Sequence, residues 1–262
     1  MLGHVNIHSD IHLTTVSAYW WKGRPNWGDA LTPLILRQYA HLDATYAPPD
    51  RAEVVCIGSV LGNLILPSYL GTIIGSGKLH EGQVVPPRAR ILALRGPLTA
   101  QGVPGNYALG DPGLLVDGLV KLETKQHNLG LVPHWSDTRP FTDTPLAENP
   151  EFTKYNPVVI DPFGDPLDVV RMIGSCNKIV SSSLHGLIVA DSFSIPRRFE
   201  PTGKWANEGG DFKLRDYNAS IGMTDFKVST TQQTNWNRVI DIKCGLYDAF
   251  NTYLAIVTRQ SP

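Results

Sequence analysis

Only three cysteines, Cys56, Cys176 and Cys244, occur in 262 residues, and none forms a Cys-x-x-Cys pair. A disulfide framework and a cysteine zinc site are both excluded, and a reducing compartment, the cytoplasm, is the expected setting. The histidines near the start, His4, His8, His12 and His41, are dispersed, and no metal centre is expected from them. An excess of one charge is missing too, with 23 Lys and Arg against 24 Asp and Glu. The densest basic groupings are Arg88/Arg90 and Arg197–Arg198, too few for a protein that must neutralise a phosphate backbone, so no nucleic-acid partner is expected. Met1 to His12 contain no apolar core of signal-peptide length, and export by that route is not expected. Val54 to Gly77 carries no charge and is long enough to cross a bilayer, but Pro67 and six Gly or Asn breaks cut it into pieces of buried-strand length. No Gly-x-Ser-x-Gly elbow, phosphate-binding P-loop or Gly-x-Gly-x-x-Gly after a strand occurs, which removes the commonest cues for hydrolases, P-loop enzymes and dinucleotide binders.

What the chain has is a repeated grammar of short β-branched runs, each closed by Gly, Ser, Asp or Pro and followed by a helical segment. Parallel sheets covered on both faces read this way. Residues 53–59, 71–77, 90–96 and 106–112 predict strands, and a first helix starts at Asp29. After Leu122 the grammar restarts, with strands over 127–132, 158–161, 178–180 and 195–199 and helices over 166–176 and 184–193. The expectation is an α/β protein of two Rossmann-like halves with a cleft between them: residues 1–122, holding the acceptor side and Arg95, and residues 123–230, holding a donor anion site. Residues 231–262 supply a terminal helix, from Trp236, that returns to the first half.

Four segments could carry chemistry. Ser181-Ser182-Ser183-Leu184-His185 is a hydroxyl-rich turn opening an apolar helix. Its N–H groups and helix dipole suit a phosphate or carboxylate, which would keep His185 protonated as a general acid. The plainer reading is a serine cap and an ordinary histidine. Arg95 stands at the carboxyl end of a strand, where ligands of open parallel sheets collect, and is either an anion fork or a solvated strand end. Gly75-Ser76-Gly77 lets a ligand approach the backbone or is simply a tight turn. In Asn26-Trp27-Gly28-Asp29, Asp29 is a helix cap or a proton acceptor for a substrate hydroxyl, and Tyr19, Trp20, Trp21 and Trp27 could stack on sugar faces.

In this order, with Leu94-Arg95-Gly96-Pro97-Leu98-Thr99, Gly110-Asp111-Pro112 and the 209–217 segment Gly-Gly-Asp-Phe-Lys-Leu-Arg-Asp-Tyr, the motifs resemble the polysaccharide pyruvyl transferase family over roughly residues 15–222. The resemblance implies an architecture like that of GT-B glycosyltransferases. It implies transfer of the enolpyruvyl group of phosphoenolpyruvate to sugar hydroxyls, giving a pyruvate ketal and phosphate. On it, His185, Arg95 and Asp29 are the critical residues. Phosphoenolpyruvate is held by Arg95, Ser182, Ser183, Leu184 and His185, with Gly75, Ser76, Gly77, Asn26 and Trp27 as further contacts. No cofactor is implied beyond this co-substrate, and the acceptor is a saccharide, lipid-linked or activated, which is compatible with peripheral association at the inner face of a membrane. A nucleotide-sugar glycosyltransferase and a catalytically silent carbohydrate-binding relative are the alternatives.

Overall fold

The computed structural model describes residues 13–122, 124–137, 141–202 and 210–260; His4, His8, His12 and the reading of residues 1–12 as no export signal lie outside them. The first half runs β1 (Thr14–Tyr19), α1 (Thr32–Ala40), β2 (Leu42–Tyr46), β3 (Val54–Val55), β4 (Thr72–Ile74), β5 (Arg90–Leu94), α2 (Pro97–Ala100) and β6 (Ala108–Leu109). All six strands are parallel, in the order β2-β1-β3-β4-β5-β6. A 3-10 segment, Pro112–Leu119, leads into the second half: β7 (Gly130–Val132), α3 (Pro145–Glu148), α4 (Pro150–Thr153), β8 (Val158–Val159), α5 (Pro166–Gly174), β9 (Ile179–Ser181), α6 (Leu184–Ser192), β10 (Arg197–Phe199), α7 (Gly210–Ser220), β11 (Thr231–Gln232) and α8 (Trp236–Gln260). This sheet has the order β11-β10-β9-β7-β8, parallel except for β11.

The charge-free stretch 54–77 is β3, β4 and tight turns, and no described helix is long and apolar enough to cross a membrane. Val54, Val55, Ile73 and Ile74 are fully buried, as expected of central strands with both faces covered. Three strands escape the sequence grammar: β1, β2 and the two-residue antiparallel edge β11. β1 reads Thr-Thr-Val-Ser-Ala-Tyr, without a β-branched apolar run, and β2, the edge of its sheet, is half exposed and needs none. The strand expected over 127–132 begins only at Gly130, with His127 bridging to Cys176.

One hydrophobic core joins the halves. Leu114, Leu115 and Val116 of the 3-10 segment lie with Leu31, Ile35 and Leu36 of the α1 region and Leu187, Ile188 and Val189 of α6. α6 is buried nearly all round, which explains a sequence with no polar face. α8 packs on α1, β5, β6 and the 3-10 segment, adding Val239, Ile242, Leu246 and Phe250 to the same core.

Candidate active site

In each sheet the strand order reverses once, beside β1 in the first and beside β7 in the second. The chain leaves β1 to form β2 on one side and β3 on the other, and it leaves β7 to form β8 on one side and β9 on the other. At such a reversal the connections diverge and open a crevice beyond the carboxyl ends of the strands. Here the two crevices share one cavity of about 390 Å³. The first half contributes Trp21, Asn26 and Asp29 after β1 and Ser59 after β3; the second contributes His134 and Trp135 after β7 and Ser183, Leu184 and His185 after β9. Lys213 of α7 completes the wall.

Asp29 is not the helix cap its position suggests. Gly28 occupies the cap position of the 3-10 turn Asp29–Leu31 and caps it with no side chain. Asn26 folds the turn instead: its Oδ1 accepts from the Gly28 N–H at 3.1 Å, and its amide donates to Asp29 Oδ2. Asp29 is 5% exposed, and its Oδ1 has no hydrogen-bond partner. Burial and the neighbouring Asp111 push its pKa up to about 7, against the pull of Lys213 and Asn26. Gly58, at φ +112°, is the reason the carboxyl fits, since a Cβ there would overlap Oδ1.

His185 stands in the first turn of α6. Ser183 holds the cap position in extended conformation but makes no side-chain cap bond. Gly28 admits the ring, because a Cβ at that position would collide with Nδ1, and Trp27 packs edge-on behind it with centroids 6.1 Å apart. Burial, Lys213 and Arg95 lower the pKa of His185 to about 3, which makes the imidazole neutral at neutral pH unless an anion lies beside it. His134, likewise lowered to about 3 by burial, Lys213 and His185, stands beside it.

The other expected contacts divide. Ser183, Leu184 and Asn26 line the cavity; Ser182, Ser76, Gly75, Gly77, Trp27 and Arg95 do not. Ser182 Oγ accepts from the His134 N–H at 2.8 Å and bonds Asp137, which fixes the loop after β7. Ser76 Oγ donates to Gly58 O at 2.8 Å, Gly75 turns at φ +87° against Pro112, and Gly77 makes room for the Arg95 guanidinium. Arg95 is fully buried behind the wall, so it neither faces the cavity as an anion fork nor stands solvated at the strand end. Its Nε donates to Asp216 Oδ2 at 2.9 Å, Nη2 to Lys78 O at 2.6 Å, and Nη1 to Ser59 Oγ. Of the aromatics offered for sugar stacking, Trp21 alone lines the cavity. Tyr19 is buried, and Trp20 packs on Tyr46 under Lys22.

Residues 83–198 match the polysaccharide pyruvyl transferase family. The chain is 30% identical over 215 residues to the succinoglycan biosynthesis protein ExoV of Rhizobium meliloti (strain 1021), covering 79% of this chain and 65% of that protein. Over these residues the chain is similar to the polysaccharide pyruvyl transferase family. A second relative, the uncharacterized protein L143 of Acanthamoeba polyphaga mimivirus, is 27% identical over 195 residues, covering 66% of each chain. The chain thus spans just under two thirds of the length of both. A functionally uncharacterized Klebsiella pneumoniae structure aligns with TM-score 0.46 at 12% identity, over 83% of this chain and 93% of that one.

The family match ends at Arg198, before α7, and although Lys213 lies in the 209–217 segment, its place on the cavity wall was not legible: which side of a helix faces a pocket depends on its packing. His134 and Trp135 were accessible to the rule that drew attention to Arg95, since they follow the carboxyl end of an expected strand.

Proposed function

We propose that this protein is a pyruvyl transferase that moves the enolpyruvyl group of phosphoenolpyruvate onto two hydroxyls of a saccharide in polysaccharide or exopolysaccharide biosynthesis. The observation that carries the reading is the pairing, across one cavity, of a histidine at a helix N-terminus with a buried carboxyl whose pKa is about 7. One group can give a proton while the other takes one, and both are needed. The donor phosphate lies at the start of α6, where the first-turn N–H groups and the dipole favour an anion. Its charge raises the depressed pKa of His185, so the histidine becomes an acid only once the donor is bound.

Protonation of the methylene carbon by His185 leaves an oxocarbenium-like centre at the carbon bearing phosphate. The first sugar hydroxyl attacks there and passes its proton to Asp29. The carbon–oxygen bond to phosphate then breaks, the second hydroxyl attacks, and its proton leaves with the departing phosphate. Donor and diol thus give a ketal bearing one methyl and one carboxylate, plus phosphate. The acceptor packs against Trp21 and Trp135, whose rings meet with centroids 5.4 Å apart, Arg24 covering Trp135 at 5.3 Å. The reaction belongs in the cytoplasm, where the donor is made, and a lipid-linked acceptor would draw the protein to the inner face of a membrane. Incubation with phosphoenolpyruvate and a panel of lipid-linked and simple glycosides, followed by mass analysis, tests the reading. A ketal product with stoichiometric phosphate supports it. Glycosyl transfer from a nucleotide sugar, or glycan binding with no phosphate release from phosphoenolpyruvate, refutes it.

A further inference from the structure

With Arg95 turned inward, the charge that holds the donor must come from elsewhere. Among the described residues lining the cavity, Lys213 is the sole Lys or Arg. It stands on α7 three residues before Asp216 and four before Tyr217, spacings that place the three on one side of the helix. That side is tied down at two points. Asp216, fully buried, receives Arg95 Nε at 2.9 Å, the Thr99 N–H at 2.8 Å and Thr99 Oγ1 at 2.7 Å. Tyr217 donates to Asp191 Oδ2 of α6 at 2.8 Å. Gly96 permits the first contact, because a Cβ there would overlap the Asp216 backbone.

We propose that Lys213 binds the phosphate of the donor together with the first turn of α6, and that Arg95, through Asp216, is a positioning residue that fixes the helix carrying Lys213. The proposal rests on the pyruvyl transferase reading for the identity of the donor. A lysine that is 9% exposed, on the cavity wall beside a helix start without a side-chain cap, gives a dianion a charge-assisted partner at little cost in side-chain freedom. The positive charge of Lys213 reaches both His185 and His134, so an anion held by it also lies beside the proton donor. The buried Arg95–Asp216 pair is a strut: it joins β5 and α2 of the first half to α7 of the second.

The test is calorimetric binding of phosphoenolpyruvate, and separately of inorganic phosphate, to the wild type, Lys213→Gln, Lys213→Arg and Asp216→Asn. Lys213→Gln is expected to melt like the wild type and to bind both anions about ten- to a hundredfold more weakly, the worth of a hydrogen bond to a charged group. Lys213→Arg restores most of that binding. Asp216→Asn, which keeps the lysine but loosens its helix, lowers the melting temperature and weakens the anions less. The His185 pKa, followed by NMR in the empty protein, rises in Lys213→Gln. Unchanged anion affinity in Lys213→Gln overturns the proposal, as does a loss of melting temperature that Lys213→Arg repairs without repairing binding. Lysine-dependent binding without ketal formation would defeat the pyruvyl transferase reading and leave this one standing; ketal formation with lysine-independent binding would do the reverse.

Discussion

Burial biases both Asp29 and His185 toward the neutral form, and the two consequences for stability run in opposite directions with pH. A carboxyl raised from 3.8 to about 7 binds a proton more tightly folded than unfolded. Its contribution is therefore fully present below about 4 and is lost as the pH rises to about 7. Asp29→Asn should unfold at higher denaturant than the wild type at pH 8, by roughly a few kcal/mol, with the gain fading toward pH 4. Equal denaturation midpoints at both pH values would mean that the carboxyl is not held protonated. His185, lowered from 6.5 to about 3, contributes stability above 6.5 that is lost as the pH falls toward 3. Donor binding at neutral pH should then draw in about one proton as the histidine charges. Calorimetry in buffers of different ionisation enthalpy reads this directly, and a buffer-independent heat argues against it. His185→Gln, which keeps a hydrogen-bond donor but cannot supply a proton, is expected to remain folded and to lose about a hundred- to ten-thousandfold in turnover.

At the scale of elements, the strut of β5, α2 and α7 makes a different prediction for Arg95 than a ligand contact would. Arg95→Ala leaves Asp216 buried and unpaired, a loss of about 3–5 kcal/mol, and urea unfolding should show it with or without the donor. A variant as stable as the wild type but unable to bind phosphoenolpyruvate would return Arg95 to the pocket. The strand-helix grammar was legible because parallel strands covered on both faces must be apolar throughout, as at Val54–Val55 and Thr72–Ile74. The start of α6 after Ser181–Ser183 was legible because a hydroxyl-rich turn before an apolar run marks a helix start locally. Arg95 was misplaced for a physical reason: a strand end points to a crevice only if the next element leaves it open, and here α7, more than a hundred residues later in the chain, supplies Asp216 to close it. Asp29 was ambiguous because capping and catalytic geometry begin with the same residue at the same helix start. The structure removes the cap reading, with Gly28 in that position and Gly58, brought in by the fold, leaving room for the carboxyl.

Across the whole molecule, the site exists because two sheets present their reversal points to one cavity, joined by a single core through the Pro112–Leu119 segment and α6. The indole wall has the same origin, Trp21 coming from the first half and Trp135 from the second. Trp135→Ala should raise the acceptor KM about tenfold or more and leave the phosphoenolpyruvate KM within twofold, since stacked aromatic area is lost on the acceptor side alone. Parallel rises in both constants would mean that the wall merely holds the halves together. The central claim, that His185 and Asp29 together perform proton transfer for ketal formation, is tested most directly by mass analysis of a saccharide incubated with phosphoenolpyruvate and the wild type, His185→Gln or Asp29→Asn. The account predicts that the wild type adds the mass of one pyruvic acid less one water and releases one phosphate per acceptor, while both folded variants add almost nothing. Full ketal formation by either variant, or no such product from the wild type with any acceptor, would contradict it.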